Sequence, residues 1–223
     1  MQPVIIAIGG GSGSGKSSIA AWVAANLCPM SIQIISEDDY HHTQVANTGL
    51  DHINFDDISK KDHELLYKHI CALKRGDEIE KPIYNFSTHM REDGVVLVHP
   101  SDLIIIEGIH VLYREEIVRE VDLSIYIDVP DDIRLARRIL RDIEERGRDM
   151  NQVISQYLST VRPMHYKYTH PGRFNADMIV LDERPEITRR TDVSNSELEH
   201  IGAPILGRIK NAISSRTLAH HSD

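Results

Sequence analysis

Two cysteines, one tryptophan and three phenylalanines in 223 residues leave this chain poor in the residues that staple or fill small secreted domains. Cys28 and Cys71 are too few for a disulfide framework, so a reducing compartment is expected. No apolar run approaches ~20 residues, so no membrane span is expected. A basic region followed by an apolar signal core is also missing, since polar Gly/Ser sequence begins at Gly9, and the expected location is the cytoplasm. Basic residues are outnumbered, 25 to 34, and the net charge of −9 argues against nucleic acid or an anionic membrane as a partner. The thirteen histidines show no metal-ligand spacing, so no zinc site is expected. Repeats, low-complexity linkers and an N-K-x-D guanine-reading motif are absent as well. The length suits one domain with a sizeable core.

What is there alternates. Pro3–Ile8 is a β-branched apolar run of the kind buried on both faces of a sheet. A helical pattern follows through Ile19, Val23 and Leu27, then a strand over Ser31–Ser36 ending in Glu37-Asp38-Asp39-Tyr40. Ser59–Asp62 resembles a capping box opening a helix that Gly76 stops. Alternation over Pro82–Val98 predicts a small β-hairpin insert. Strands are expected at Asp102–Glu107, Asp122–Val129 and Ala176–Leu181. Helices are expected at Asp131–Arg146, from Asp149 to a stop at Pro163, and at Glu197–Ser214. The prediction is an α/β fold with a doubly wound parallel sheet and flanking helices. It is one domain over 1–223, with the hairpin near 80–98, a lid near 138–150 and a frayed tail near 216–223.

Gly10, Gly11, Ser12, Gly13, Ser14, Gly15, Lys16 and Ser17 match G-x-x-x-x-G-K-[ST] in full, between a buried strand and a helix. Such a loop turns several backbone N–H groups onto phosphates at a helix N-terminus, with Ser18 following in the first turn. Lys16 should reach the β- and γ-phosphates and the Ser17 hydroxyl should ligate Mg²⁺. Glu107, closing a buried strand, is the second candidate ligand for Mg²⁺. The bland reading, a flexible Gly/Ser turn, fits poorly with the strand–loop–helix context.

Arg134, Arg138 and Arg141 recur at i, i+4 and i+7, and Arg146 and Arg148 flank Gly147. Such a face is either solvated and balanced by neighbouring acids, or a lid whose guanidiniums close over a transferring phosphoryl group. A hydroxyl nucleophile also needs a carboxylate base. Asp38 and Asp39 both follow the second strand, and residue physics does not choose between them.

These stretches together resemble the uridine kinase (uridine–cytidine kinase) family of P-loop kinases across roughly residues 4–182. The resemblance rests on G-G-G-S-G-S-G-K-S-S, I-S-E-D-D-Y, N-F-D, P-I-Y-N-F-S-T-H-M-R, I-I-I-E-G-I, the arginine segment to R-G-R-D, and I-S-Q-Y-L-S-T-V-R-P-M. It implies transfer of a phosphoryl group from ATP, or GTP, with Mg²⁺ to the 5′-hydroxyl of uridine or cytidine. It further implies Asp38 as base, Asp56 on the ribose, and Tyr84, Phe86 and His89 around the pyrimidine. Arg138, Arg141, Arg146 and Arg148 would serve ribose and phosphate, and Gln156 and Tyr157 would line the pocket. A homotetramer is implied too. Phosphoribulose or pantothenate are the alternative acceptors, and a nucleotide hydrolase or a catalytically silent nucleotide-binding module are the rival classes. Asp39 in place of serine, His41-His42, Asp57-Ile58 and Asn85 depart from the family pattern, and 183–223 match it poorly.

Overall fold

The computed structural model describes residues 2–44, 53–184 and 195–219. Its sheet consists of β1 (Val4–Gly10), β2 (Ile32–Ser36), β5 (Leu103–Gly108), β6 (Leu123–Asp128) and β7 (Met178–Leu181), in the order β2-β5-β1-β6-β7. Every pairing in it is parallel. The chain starts in the middle, crosses to the β2 edge, returns to β5 beside β1, and then passes to β6 and β7 on the other side, a doubly wound arrangement as expected. Strands β3 (Ile79–Asn85) and β4 (Met90–Val98) form the separate hairpin.

The β1 sequence V-I-I-A-I is buried along its whole length because both of its faces are covered. Ile6 and Ile8 meet helices α1 (Lys16–Ala25) and α7 (Asn195–Ala219) through Ile19, Val23, Ile201, Ile205 and Ile209. Ile5 and Ala7 meet α2 (His63–Arg75) through Leu66, Ile70 and Leu73. Burying one such aliphatic side chain contributes about 1.5–3 kcal/mol, so the alternation along β1 fixes which helices take which face.

Several boundaries differ from the sequence-based expectation. Ser59 does not cap α2. The cap is Asp62, whose carboxylate accepts from the Leu65 N–H at 3.0 Å, while Ser59 donates to Asp57 at 2.7 Å. Gly76 ends the helix as expected, with φ of 89°. Pro163 ends nothing. After α5 (Met150–Gln156) the chain stays helical through a wide turn at Tyr157–Val161, one α turn at Arg162–Met164 (α6), and further turns to Asn175. The π-type turns on either side loosen the hydrogen-bond ladder, so a residue without an N–H is accommodated. Helix α7 is longer than Glu197–Ser214 and carries Pro204 inside it. Arg216, expected to begin a frayed tail, donates to the Pro3 carbonyl and to Asp122, the latter at 2.8 Å. Residues 220–223 lie outside those described. None of the described helices is long and apolar enough to cross a membrane.

Helices α1 and α7 touch at Gly202, where an added Cβ would stand 2.2 Å from the Trp22 ring. Gly202→Val is therefore expected to cost about 1–3 kcal/mol through overpacking, read as a lower denaturation midpoint. An unchanged midpoint would mean that this contact does not fix the helix pair.

Candidate active site

The phosphate cradle is built by backbone geometry. Gly13 and Gly15 adopt φ of 83° and 81°, the left-handed region that a side chain resists, and a Cβ on Gly13 would stand 2.4 Å from the Arg134 carbonyl. The loop closes on itself through the Ser14 N–H to the Gly11 carbonyl at 3.0 Å, and α1 begins at once. Ser18 lies in that first helical turn.

A short helix α3 (Glu115–Val118) leads into β6, and helix α4 (Asp131–Glu144), which follows that strand, braces this loop from below. Its buried stripe is charged, consisting of Arg134, Arg138 and Asp142 at intervals of four. Apolar Ile143 on another face is exposed. Arg134 donates to the Val129 carbonyl at 3.1 Å and to the Ser12 carbonyl at 3.5 Å, and pairs with Asp131. It is thus a strut under the loop, and the expectation that it shares a closing lid face is corrected. Arg138 donates to the Ser12 hydroxyl at 2.8 Å. Arg138, Arg141, Arg146 and Arg148 all gather on the Asp142 carboxylate, at 3.5, 2.9, 3.3 and 3.6 Å. Gln156 accepts from both Arg138 and Arg148, at 3.0 and 2.6 Å.

Three charged groups meet at the C-terminal ends of β1, β2 and β5. Burial lowers the Lys16 pKa, against the pull of Glu107 and Asp38. Burial raises that of Glu107, with Lys16 opposing, while the carboxylate accepts a hydrogen bond from the Ser36 hydroxyl at 2.8 Å. Burial would also raise Asp38, but Lys61, His41 and Lys16 outweigh it and hold the carboxyl far below its usual range. Nearly half of the Asp38 side chain, 45%, stays open to solvent. Asp39 points elsewhere and pairs with Lys81 of β3. The structure thus separates the two aspartates that the sequence left equivalent: Asp38 acts on the charge of Lys16, while Asp39 is taken up by Lys81.

The hairpin supplies an aromatic wall. Tyr84 lies edge-to-face with Phe86 at 5.2 Å, and its buried hydroxyl has no hydrogen-bond partner among the described residues. Burial, then Asp38, pushes that hydroxyl's pKa up to about 12. Phe86 is exposed, with the Arg146 guanidinium 5.8 Å from its ring centre. His89 stacks on Phe55 at 4.7 Å, and burial with nearby Arg146 and Arg148 lowers its pKa. Arg91 ties this wall to the Asp38 turn by donating to the carbonyls of Tyr40 and His41, both at 2.8 Å. Asp56 is buried, and its charge acts on Arg138.

The model of the phosphoribulokinase/uridine kinase family matches residues 5–187. The chain belongs to that family. A uridine kinase of Clostridium novyi is 43% identical over 182 residues, 81% of this chain and 88% of the relative. One from Listeria monocytogenes is 39% identical over 203 residues, 90% and 96% of the two chains. Among solved structures, a possible uridine kinase from Bacillus stearothermophilus superposes with a TM-score of 0.60 at 20% identity, covering 82% of this chain and 90% of that one. D-glycerate 3-kinase from Cryptococcus neoformans does so at 0.54 and 16%, covering 84% and 83%. These two show the fold alone. A nucleotide as phosphate donor follows from family membership.

Within this family frame, one expected pocket residue is displaced. Tyr157 is buried with its hydroxyl donated to the Asp131 carbonyl at 3.3 Å. It follows Gln156 on a helix, so it projects about 100° away from it, toward the foot of α4 and not toward the hairpin. The sequence reading also missed Lys61, which donates to Asp38 at 2.7 Å, and His41, at 3.8 Å from the same carboxylate. The replaced aromatic and basic positions at His41-His42 were the available signal for the latter.

Burial lowers the pKa of His41 to about 4 and those of His110 and His165 to about 3. Unfolded histidine titrates near ~6.5, so between about pH 4 and 6.5 the unfolded chain binds protons that the fold refuses. Stability is expected to be level above pH 7 and to fall as pH drops through that window, before most carboxylates titrate. Melting temperatures across pH 4–8 check this, and a curve that stays level down to pH 4.5 would contradict it.

Proposed function

We propose that this enzyme transfers the γ-phosphoryl group of ATP to the 5′-hydroxyl of uridine or cytidine. The observation that carries the reading is the placement of Asp38, ionised and partly open, beside Lys16 and under the Tyr84–Phe86 wall. Named uridine kinases near 40% identity over most of the chain support the same substrate class. An exposed aromatic ring, that of Phe86 backed edge-on by Tyr84, suits a flat pyrimidine better than the small sugar phosphate or pantothenate considered as alternative acceptors.

In this reading Asp38 accepts the hydroxyl proton while the sugar oxygen attacks the γ-phosphorus in line. The bond to the bridging oxygen breaks, and the diphosphate leaves with its electrons. The backbone N–H groups of the loop from Gly10 to Ser17 hold the phosphates, and Lys16 with Arg141 and Arg146 offsets charge on the moving group. Asp56, Arg138 and Arg148 hold the ribose side, with Gln156 fixing both guanidiniums, and Tyr84, Phe86 and His89 hold the base. Ser17 and the buried carboxylate of Glu107, close enough for Ser17 and Lys16 both to be felt in the Glu107 pKa, offer the hard oxygens that fit Mg²⁺. Bound there, Mg²⁺ would neutralise β- and γ-phosphate charge.

The test is ADP release over a panel of uridine, cytidine, purine nucleosides, phosphoribulose and pantothenate. Turnover on the two pyrimidine nucleosides is expected, and turnover confined to the last two compounds would reject the reading. Asp38→Ala is expected to lose about 10²–10⁴-fold in kcat with nucleotide affinity near normal. Asp39→Ala should keep most activity. The reverse ranking would move the base to Asp39.

A further inference from the structure

Behind Asp38 lies a buried ionic cluster that none of the roles above uses. Lys61 follows the turn Ile58–Lys60, and its side chain is fully buried. Its ammonium donates to Asp38 Oδ1 at 2.7 Å and to Glu37 Oε2 at 2.9 Å. Glu37 is itself fully buried and held on every side. It accepts from the His110 backbone N–H at 3.1 Å, its other oxygen meets His63 Nε2 at 2.7 Å, and a Cβ on Gly108 would stand 2.3 Å from it. The Lys61 backbone is fixed too, through a bridge to His41.

A lysine taken wholly out of water is costly unless paired. This one lies between two carboxylates, one immobile and one in the reaction centre. Glu37, His63 and His110 have the residue types and proximity of a metal centre. Lys61 already occupies the Glu37 carboxylate, and its positive charge opposes a second cation there.

We propose that Lys61, locked by Glu37, is a positioning residue for phosphoryl transfer, pinning Oδ1 of Asp38 so that Oδ2 faces the acceptor hydroxyl. The inference rests on the reading of Asp38 as base. A carboxylate free to rotate would spend much of its time misaligned, and misplacement of about 1 Å can cost ~100-fold in rate. The ammonium also keeps Asp38 ionised at every working pH, although burial favours the neutral form.

Other groups face Asp38 as well. Lys16 from the phosphate loop and His41 from its own turn favour its charged form. Glu107 from β5 disfavours it, and Tyr84 from the hairpin, Arg146 beyond α4 and His110 after β5 all sense its charge. None of these is hydrogen-bonded to the carboxylate; among the described residues that bond is made by Lys61.

Steady-state kinetics with uridine and ATP test this on Lys61→Met and on the charge-matched Lys61→Met/Glu37→Gln, with Asp38→Asn as reference. The double variant guards against misfolding, since it leaves no lone buried charge. Both Lys61 variants are expected to lose 10- to 100-fold in kcat with KM for ATP within twofold. The acid limb of kcat/KM should rise to higher pH, because Asp38 loses the group that holds its proton off. A double variant that melts like the parent and keeps kcat and the pH profile, while Asp38→Asn is inactive, would overturn the role of Lys61. Parental activity in Asp38→Asn would instead overturn the assignment of the base, and this inference with it.

Discussion

The site depends on β5 being hydrogen-bonded between β1 and β2 with all three strands pointing the same way. Parallel pairing brings their C-terminal ends to one edge, so Lys16, Glu107 and Asp38 converge although they lie far apart in the chain. Register makes the convergence specific. Glu107 is level with Ser36 across one ladder and with Ile8 across the other. A slip of one residue would turn every side chain of β5 to the opposite face. The buried isoleucines on both sides of β1 and β5 make such a slip costly, so hydrophobic packing in the interior sets the geometry of charges at the rim.

Those charges are unevenly balanced. Four arginines share the single carboxylate of Asp142, and two of them also share Gln156. The surplus is positive, and it lies beside a loop whose backbone N–H groups also favour anions. A polyphosphate entering there would therefore relieve repulsion as well as gain hydrogen bonds. The negative field of the whole molecule does not prevent this, because it acts over the surface while the arginines act at contact distance.

The sheet, the phosphate loop, the hairpin and the arginine helix were legible because each writes a local pattern. Apolar runs, glycine spacing and alternation all act within about ten residues. What stayed hidden was non-local or ran against hydropathy. Lys61 reaches Glu37 and Asp38 across more than twenty positions, and His110 reaches Glu37 across 73. Helix α4 buries arginines and leaves Ile143 outside, the reverse of what an apolar stripe suggests. The family resemblance placed Tyr157 in the pocket together with Gln156, although neighbours on a helix do not share a face. Pro163 was read as a stop because its effect is usually local, and here the wide turns around it absorb that effect.

The hairpin is a two-stranded sheet of its own, joined to the Asp38 turn through Arg91 and Lys81. Its tip side chains, Phe86 and His89, belong to no part of the main core. A substitution at the tip therefore leaves the packing of both core clusters untouched, while Arg91 still ties the strands behind it to the Tyr40–His41 backbone. The hairpin tip can thus change its surface at little expense to the stability of the sheet that carries Lys16 and Glu107.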